Sequence, residues 1–137
     1  MTTYGTQVNL PVVAGADLTA KQYRGVRLAG TSPVSGQAAD VFGIIQNKPN
    51  TNEHATVCVF GESKLYFALA ITAGTFFGFN DSGEGIPAAF PRWQNTGSGT
   101  VISSASALCY GRAIIGCASG GLAHVLFESM PSGIASY

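Results

Sequence analysis

The 137-residue chain is 10% charged, with seven Lys and Arg balanced by seven Asp and Glu, where an average soluble domain carries about 25%. Its length is that of one domain able to bury roughly two thirds of its unfolded surface. The balanced charge leaves no global field to draw in nucleic acid or an anionic membrane. So few charges imply that much of the surface meets other protein rather than water.

Residues 1–16 mix Thr, Asn, Gln, Gly and Pro with scattered apolar residues and hold no sustained period, which predicts an extended N-terminal arm. Its apolar members Tyr4, Val8, Leu10, Val12 and Val13 need cover, either from a partner surface or from the chain's own domain. The opening lacks a charged segment followed by a long apolar one, and the apolar stretch LYFALAITAGTFFGF is interrupted by Thr and Gly. The expectation is a chain with neither a signal peptide nor a membrane span.

From Tyr23 onward, short β-branched and aromatic runs alternate with Gly, Pro, Asn and Ser, the pattern of many short strands. Strands are expected over 23–29, 41–46, 55–60, 64–70, 75–79, 109–115 and 122–128. The best short helical candidates are DLTAKQY and SSASALCY. FNDSGEGI has the Asn, Asp and Gly residues of a hairpin turn, and CASGGLAHV those of a second. The stretch of about 87–107 reads as a long irregular loop, a length that is usually functional or docked.

One phrase recurs. Aligning DLTAKQYRGV with AITAGTFFGF matches Leu18 with Ile71, Tyr23 with Phe76 and Gly25 with Gly78. Further on, VFGIIQ and ATVCVFGES are echoed by CYGRAIIG and LAHVLFES, which matches Ile44 with Ile114 and Phe60 with Phe127. Internal duplication accounts for this. The expected fold is all-β: a small antiparallel barrel or sandwich of two similar halves, about 17–63 and 70–129, within a domain of 17–129 and followed by a tail of 130–137.

Residues that carry chemistry do not assemble in the sequence. There is no Gly-x-Gly-x-x-Gly, Walker motif, His-Glu-x-x-His or Gly-x-Ser-x-Gly. His54, His124, Cys58 and Cys117 lack the tight spacing of zinc ligands, so no metal and no cofactor is expected. Three cysteines without a Cys-x-x-Cys read as core thiols of a protein folded in a reducing cytoplasm. Asp81 and Glu84 fall in a Gly-rich turn and read as a solvated hairpin tip rather than a catalytic pair. Trp93, flanked by Phe90 and Arg92, has the composition of an interface anchor, and equally of a core cap.

The segments GADLTAKQYRGVRL, VFGIIQNKP, AITAG and YGRAIIGCASGGLAHVLF, in this order, resemble the small capsid decoration (cement) proteins of tailed bacteriophages. The resemblance spans about residues 15–128; the chain departs from it in the bulky loop around Phe90–Trp93 and in the tail Met130–Tyr137. It implies an all-β, non-enzymatic homo-oligomer, usually a trimer, made in the host cytoplasm and carried on the outer capsid surface of the virion. There it clamps neighbouring major capsid protein subunits, often with an N-terminal arm, and it binds neither nucleic acid nor membrane. The residues expected at protein interfaces are Tyr4, Val8, Leu10 and Val12 in the arm, and Phe90, Arg92 and Trp93 in the loop. The alternative is a carbohydrate-binding β-module or displayed adhesin in which Trp93 or Tyr110 stacks on a sugar. A small hydrolase hidden in a barrel is a third reading, with no nucleophile, base and orienting group to carry it.

Overall fold

The computed structural model describes residues 6–29, 32–36, 40–88, 93–95, 100–102 and 109–132, covering backbone alone for 32–35, 93–95, 100–102 and 130–132. All regular structure among them is β: β1 (Gln7–Val13), β2 (Gly25–Ala29), β3 (Ser32–Ser35), β4 (Gly43–Ile45), β5 (His54–Tyr66), β6 (Phe76–Phe79), β7 (Gly85–Pro87), β8 (Trp93–Asn95), β9 (Thr100–Ile102), β10 (Cys109–Ile115) and β11 (Leu122–Ser132). Nine strands form one antiparallel sheet in the order β3-β2-β4-β5-β11-β10-β6-β7, with β1 also on β5, while β8 and β9 pair separately. The sheet curls almost into a barrel. Its far strands are drawn back by the Gly25 N–H on the Gly83 carbonyl at 2.7 Å and the Ala68 N–H on the Gly85 carbonyl at 2.9 Å.

Several elements differ from their sequence-based expectation. The strands expected over 55–60 and 64–70 are one strand, β5, because Gly61 at φ 110° carries the chain through instead of ending it. A Cβ at Gly61 would meet the Thr6 carbonyl, so glycine is also what lets β1 lie close. DLTAKQY is a turn rather than a helix. The Asp17 carboxylate accepts from the Thr19 N–H at 3.0 Å and the Thr19 hydroxyl at 2.7 Å, giving the backbone a local alternative to helical bonding. Cys109 and Tyr110, the end of the second helical candidate, open β10, and residues 103–108 lie outside the described set. Within the expected loop of 87–107, Trp93–Asn95 pairs with Thr100–Ile102. Residues 7–13 of the expected arm form β1, laid along β5 from Gln7 opposite Gly61 to Val13 opposite His54.

The FNDSGEGI turn is the β6–β7 hairpin. The Asn80 side-chain oxygen accepts from the Ser82 and Glu84 N–H groups at 2.9 and 3.0 Å, and Gly83 supplies a φ of 75°. Gly120, at φ 78°, does the same between β10 and β11.

Two apolar clusters hold the sheet. One gathers Ile44, Leu65, Phe67, Phe77, Phe79, Tyr110, Val125 and Phe127. Its rings meet edge to face, as Phe79 does Tyr110 at 4.9 Å, or stacked, as Tyr110 does Phe127 at 6.0 Å. The other gathers Ala14, Leu18, Val26, Ile45, Ala55 and Val57, against which Val12 and Val59 pack. β4 feeds both, Ile44 into the first and Ile45 into the second, which is why it reads as an unbroken apolar run.

The path β3-β2-β4-β5 has the same connectivity as β7-β6-β10-β11. Backbone bonds follow suit. Leu18 N–H donates to the Pro49 carbonyl at 2.9 Å as Ile71 N–H does to the Cys117 carbonyl at 3.0 Å. Gly36 N–H donates to Gly25 as Ala88 N–H does to Phe76. By these bonds Leu18 and Ile71 hold corresponding places, whereas Gly25 corresponds to Phe76 and not to Gly78. The turn after Leu18 is two residues longer than the turn after Ile71.

Candidate protein-interaction surface

Alternation along the β5–β11 ladder sorts side chains between core and outer face. Ser63 and Leu65, with Ala123, Val125 and Phe127, turn inward and are buried. Phe60, Glu62, Lys64 and Tyr66, paired with Glu128, Leu126, His124 and Leu122, turn outward. That outer face carries large apolar side chains in water. Phe60 is 49% exposed and Leu126 47%, with Val8 of β1 directly opposite Phe60 at 45%. Beside Leu126 stands Arg112 of β10, whose guanidinium lies 4.4 Å over the Phe76 ring. A second exposed apolar group, Leu69, Ile114, Ile115 and Leu122, lies near the β10–β11 turn.

At Phe60 the sheet changes partners. β4 pairs with Val57 and Cys58, and β11 begins at Phe60, so Val59 is paired by neither ladder. On the opposite edge, β1 slips register between Val8 and Asn9, which is a bulge in β5 at the same point. A cleft of about 370 Å³ opens there over Val59, Phe60, Glu128 and Ser129. A smaller one of about 170 Å³ lies between Leu126, Arg112 and Phe76 and shares Glu128 as a wall.

Four polar side chains brace the fold, and one of them, Glu84, is sheltered rather than part of a solvated hairpin tip. Arg24 pairs with Glu84 at 3.2 Å and its guanidinium covers the Tyr66 ring at 4.4 Å, so the β6–β7 turn is tied to β2 and β5. Gln46 donates to the buried Ser63 hydroxyl at 2.8 Å and to the Ile44 carbonyl at 3.0 Å. Asn47 donates to the His54 carbonyl at 2.9 Å and accepts from the Thr56 N–H at 3.0 Å. The Gln-Asn pair of GIIQNKP therefore braces β4 against β5.

Of the residues expected at interfaces, Val8 and Leu10 are exposed on β1, while Val12 is half-buried against the second core cluster. Trp93 opens β8, paired with Ile102. Tyr4, Phe90 and Arg92 lie outside the described residues. Tyr110, a sugar-stacking residue in the alternative reading, is 2% exposed, and its hydroxyl oxygen accepts the Val41 N–H at 3.2 Å. It is a core residue that no ligand can stack on. Cys58 and Cys109 are buried and Cys117 half-buried, and burial pushes all three thiols up from their ordinary pKa. No group of three or more His, Cys, Asp or Glu stands together as a metal site among the described residues. No helix among them is long and apolar enough to cross a membrane.

Sequence reasoning missed Phe60, Leu126, Glu128 and Arg112. The signal was the alternation in FGESKLY and LAHVLFE, but it shows two sets of residues without showing which faces water.

No family model and no curated protein matches the chain. Among solved structures, the chain is similar to the head fiber gp8.5 N base of bacteriophage phi29, with a TM-score of 0.58 and 11% identity over 94% of this chain and 100% of that one. At that identity the likeness is one of fold.

Proposed function

We propose that the chain is a structural phage virion protein, a cement or decoration protein that sits on the outside of an icosahedral head and stabilises contacts between major capsid protein subunits. The observation that carries this reading is the outer face of β1, β5 and β11, where Val8, Phe60 and Leu126 stand exposed on paired strands. Protein interfaces draw their affinity from such apolar cores with aromatic and Arg anchors, and Arg112 stacked on Phe76 is of that kind. Two further features support it. The fold is that of a phage head-fibre base, and the low charge suits a surface meant for protein.

On this reading the protein acts as a homo-oligomer, a trimer, and carries out no catalysis. Several weak contacts made at once to a repeating shell give an avidity that no single contact provides. The test is co-sedimentation with purified heads lacking the protein, using wild type, Phe60→Asp and Leu126→Asp. Each substitution is expected to weaken head binding by about tenfold or more, the scale of an interface hot spot, while the β circular-dichroism spectrum is kept. Full binding by both variants would refute this face as the docking surface.

A further inference from the structure

We infer that the cleft at the β4–β11 changeover on β5 is an anchor pocket for an arginine side chain of the partner, with Phe60 as its aromatic platform and Glu128 as its carboxylate. The inference deepens the capsid-binding reading and rests on it for the identity of the partner, which must present Arg next to an apolar residue.

The chain shows the arrangement once in complete form. Arg24 lies 4.4 Å over the ring of Tyr66, an outward residue of β5, and 3.2 Å from the Glu84 carboxylate. Guanidinium favours this setting because its plane stacks on a ring while its N–H fork meets a carboxylate. Phe60 is an outward residue of the same strand, and the Glu128 carboxylate belongs to the residue directly across the ladder from it. Glu128 makes no ion pair among the described residues, although Arg112 lines the same smaller cleft, because Arg112 is drawn over Phe76 at the other side of Leu126.

The cleft beside Phe60 and Glu128, about 370 Å³, has room for a long side chain. Its walls Val59 and Phe60 would lie along the aliphatic stem. Charge complementarity therefore selects a cation, and the exposed ring selects a planar one. Lysine would satisfy the carboxylate and lose the stacking.

The test has two arms on the full chain. In the first, the blocked dipeptide Ac-Leu-Arg-NH2 is titrated into isotope-labelled protein and followed by NMR, with Ac-Leu-Gln-NH2 as the uncharged control. Saturable shifts confined to Phe60, Leu126 and Glu128, seen for Arg, absent for Gln and lost in Glu128→Gln, are the result expected. Equal shifts with both dipeptides, or none with either, overturn the pocket. In the second arm, Glu128→Gln and wild type are compared for binding to depleted heads at low and high salt. The variant is expected to bind about tenfold more weakly at low salt and to lose most of the salt dependence. Unchanged head binding by Glu128→Gln, or a change confined to the oligomer's mass, overturns the partner assignment, the latter assigning the cleft to a second copy of the chain. If wild type itself fails to bind heads, the capsid reading falls, and the dipeptide arm still decides the pocket.

Discussion

Tyr23 and Gly74 hold the same place in the two halves of the sheet. Tyr23 N–H donates to the Ile45 carbonyl at 2.8 Å and Gly74 N–H to the Ala113 carbonyl at 2.7 Å, and the next residues, Arg24 and Thr75, accept the return bonds from Ile45 and Ala113. Both have left-handed backbone, φ 61° at Tyr23 and 87° at Gly74. One half meets this turn with the residue suited to it, the other with a tyrosine whose carbonyl is bonded by Tyr66 N–H at 2.7 Å and whose ring is approached by Lys64.

That pairing separates backbone strain from crowding. A Cβ at Gly74 would meet nothing within 4 Å, so Gly74→Ala is expected to cost about 1 kcal/mol from its φ alone. Gly61→Ala adds a clash with the Thr6 carbonyl to a φ of 110° and is expected to cost about 3 kcal/mol while loosening β1. Urea midpoints give the two costs, and amide hydrogen exchange over residues 7–13 shows whether β1 has come away. Equal costs would contradict this account of Gly61.

The Arg24–Glu84 pair is half-sheltered, with both side chains about one-fifth exposed, and the ring of Tyr66 covers one face. Glu84→Ala is therefore expected to destabilise by about 1–2 kcal/mol, most of it persisting at high salt, unlike a surface pair. A double-mutant cycle with Arg24→Ala isolates the coupling.

Burial raises the pKa of Cys58, Cys109 and Tyr110 above their ordinary values. A group raised in this way favours its neutral form in the folded state. Its contribution is complete below the unfolded pKa, about 8.5 for a thiol, and is lost as pH rises through the folded value. Stability is expected to fall on the alkaline side, first through the thiols and then through Tyr110. With a thiol-specific reagent at pH 8, Cys117 should react before Cys58 and Cys109; simultaneous reaction in the folded protein would contradict their burial.

β1 changes what a truncation can mean. Deleting residues 2–14 removes Val12 from the second cluster and uncovers the edge of β5 from His54 to Gly61, so it is expected to lower stability along with any binding. Calorimetry reads that loss as a lower thermal midpoint for the 2–14 deletion, and an unchanged midpoint would contradict the cover that β1 gives β5.

The all-β class, most strands and both hairpin turns were legible because period-two alternation and Gly, Asn and Asp at turns are local signals. The doubled phrase pointed to a real correspondence at Leu18 and Ile71, but its later matches drift. Val57 holds the place of Val125, so Phe60 falls one residue beyond Phe127, and a one-residue slip turns a side chain from core to surface. That is why the outer face was not legible: identical letters, Phe60 and Phe127, lie on opposite faces of the sheet. Nor could composition say that β1 would find its cover on β5. Two short sequence runs there share one ladder, and the bulge at Val59 sets their register.

Under the proposed role, the outer face around Phe60 and Leu126 is what meets the capsid. Amide hydrogen exchange of the protein bound to heads, compared with the free protein, measures this most directly. Added protection over residues 58–62 and 126–129 is expected on binding, with the β6–β7 turn unchanged. Protection confined to other segments, or none at all in a protein that co-sediments with heads, would contradict it.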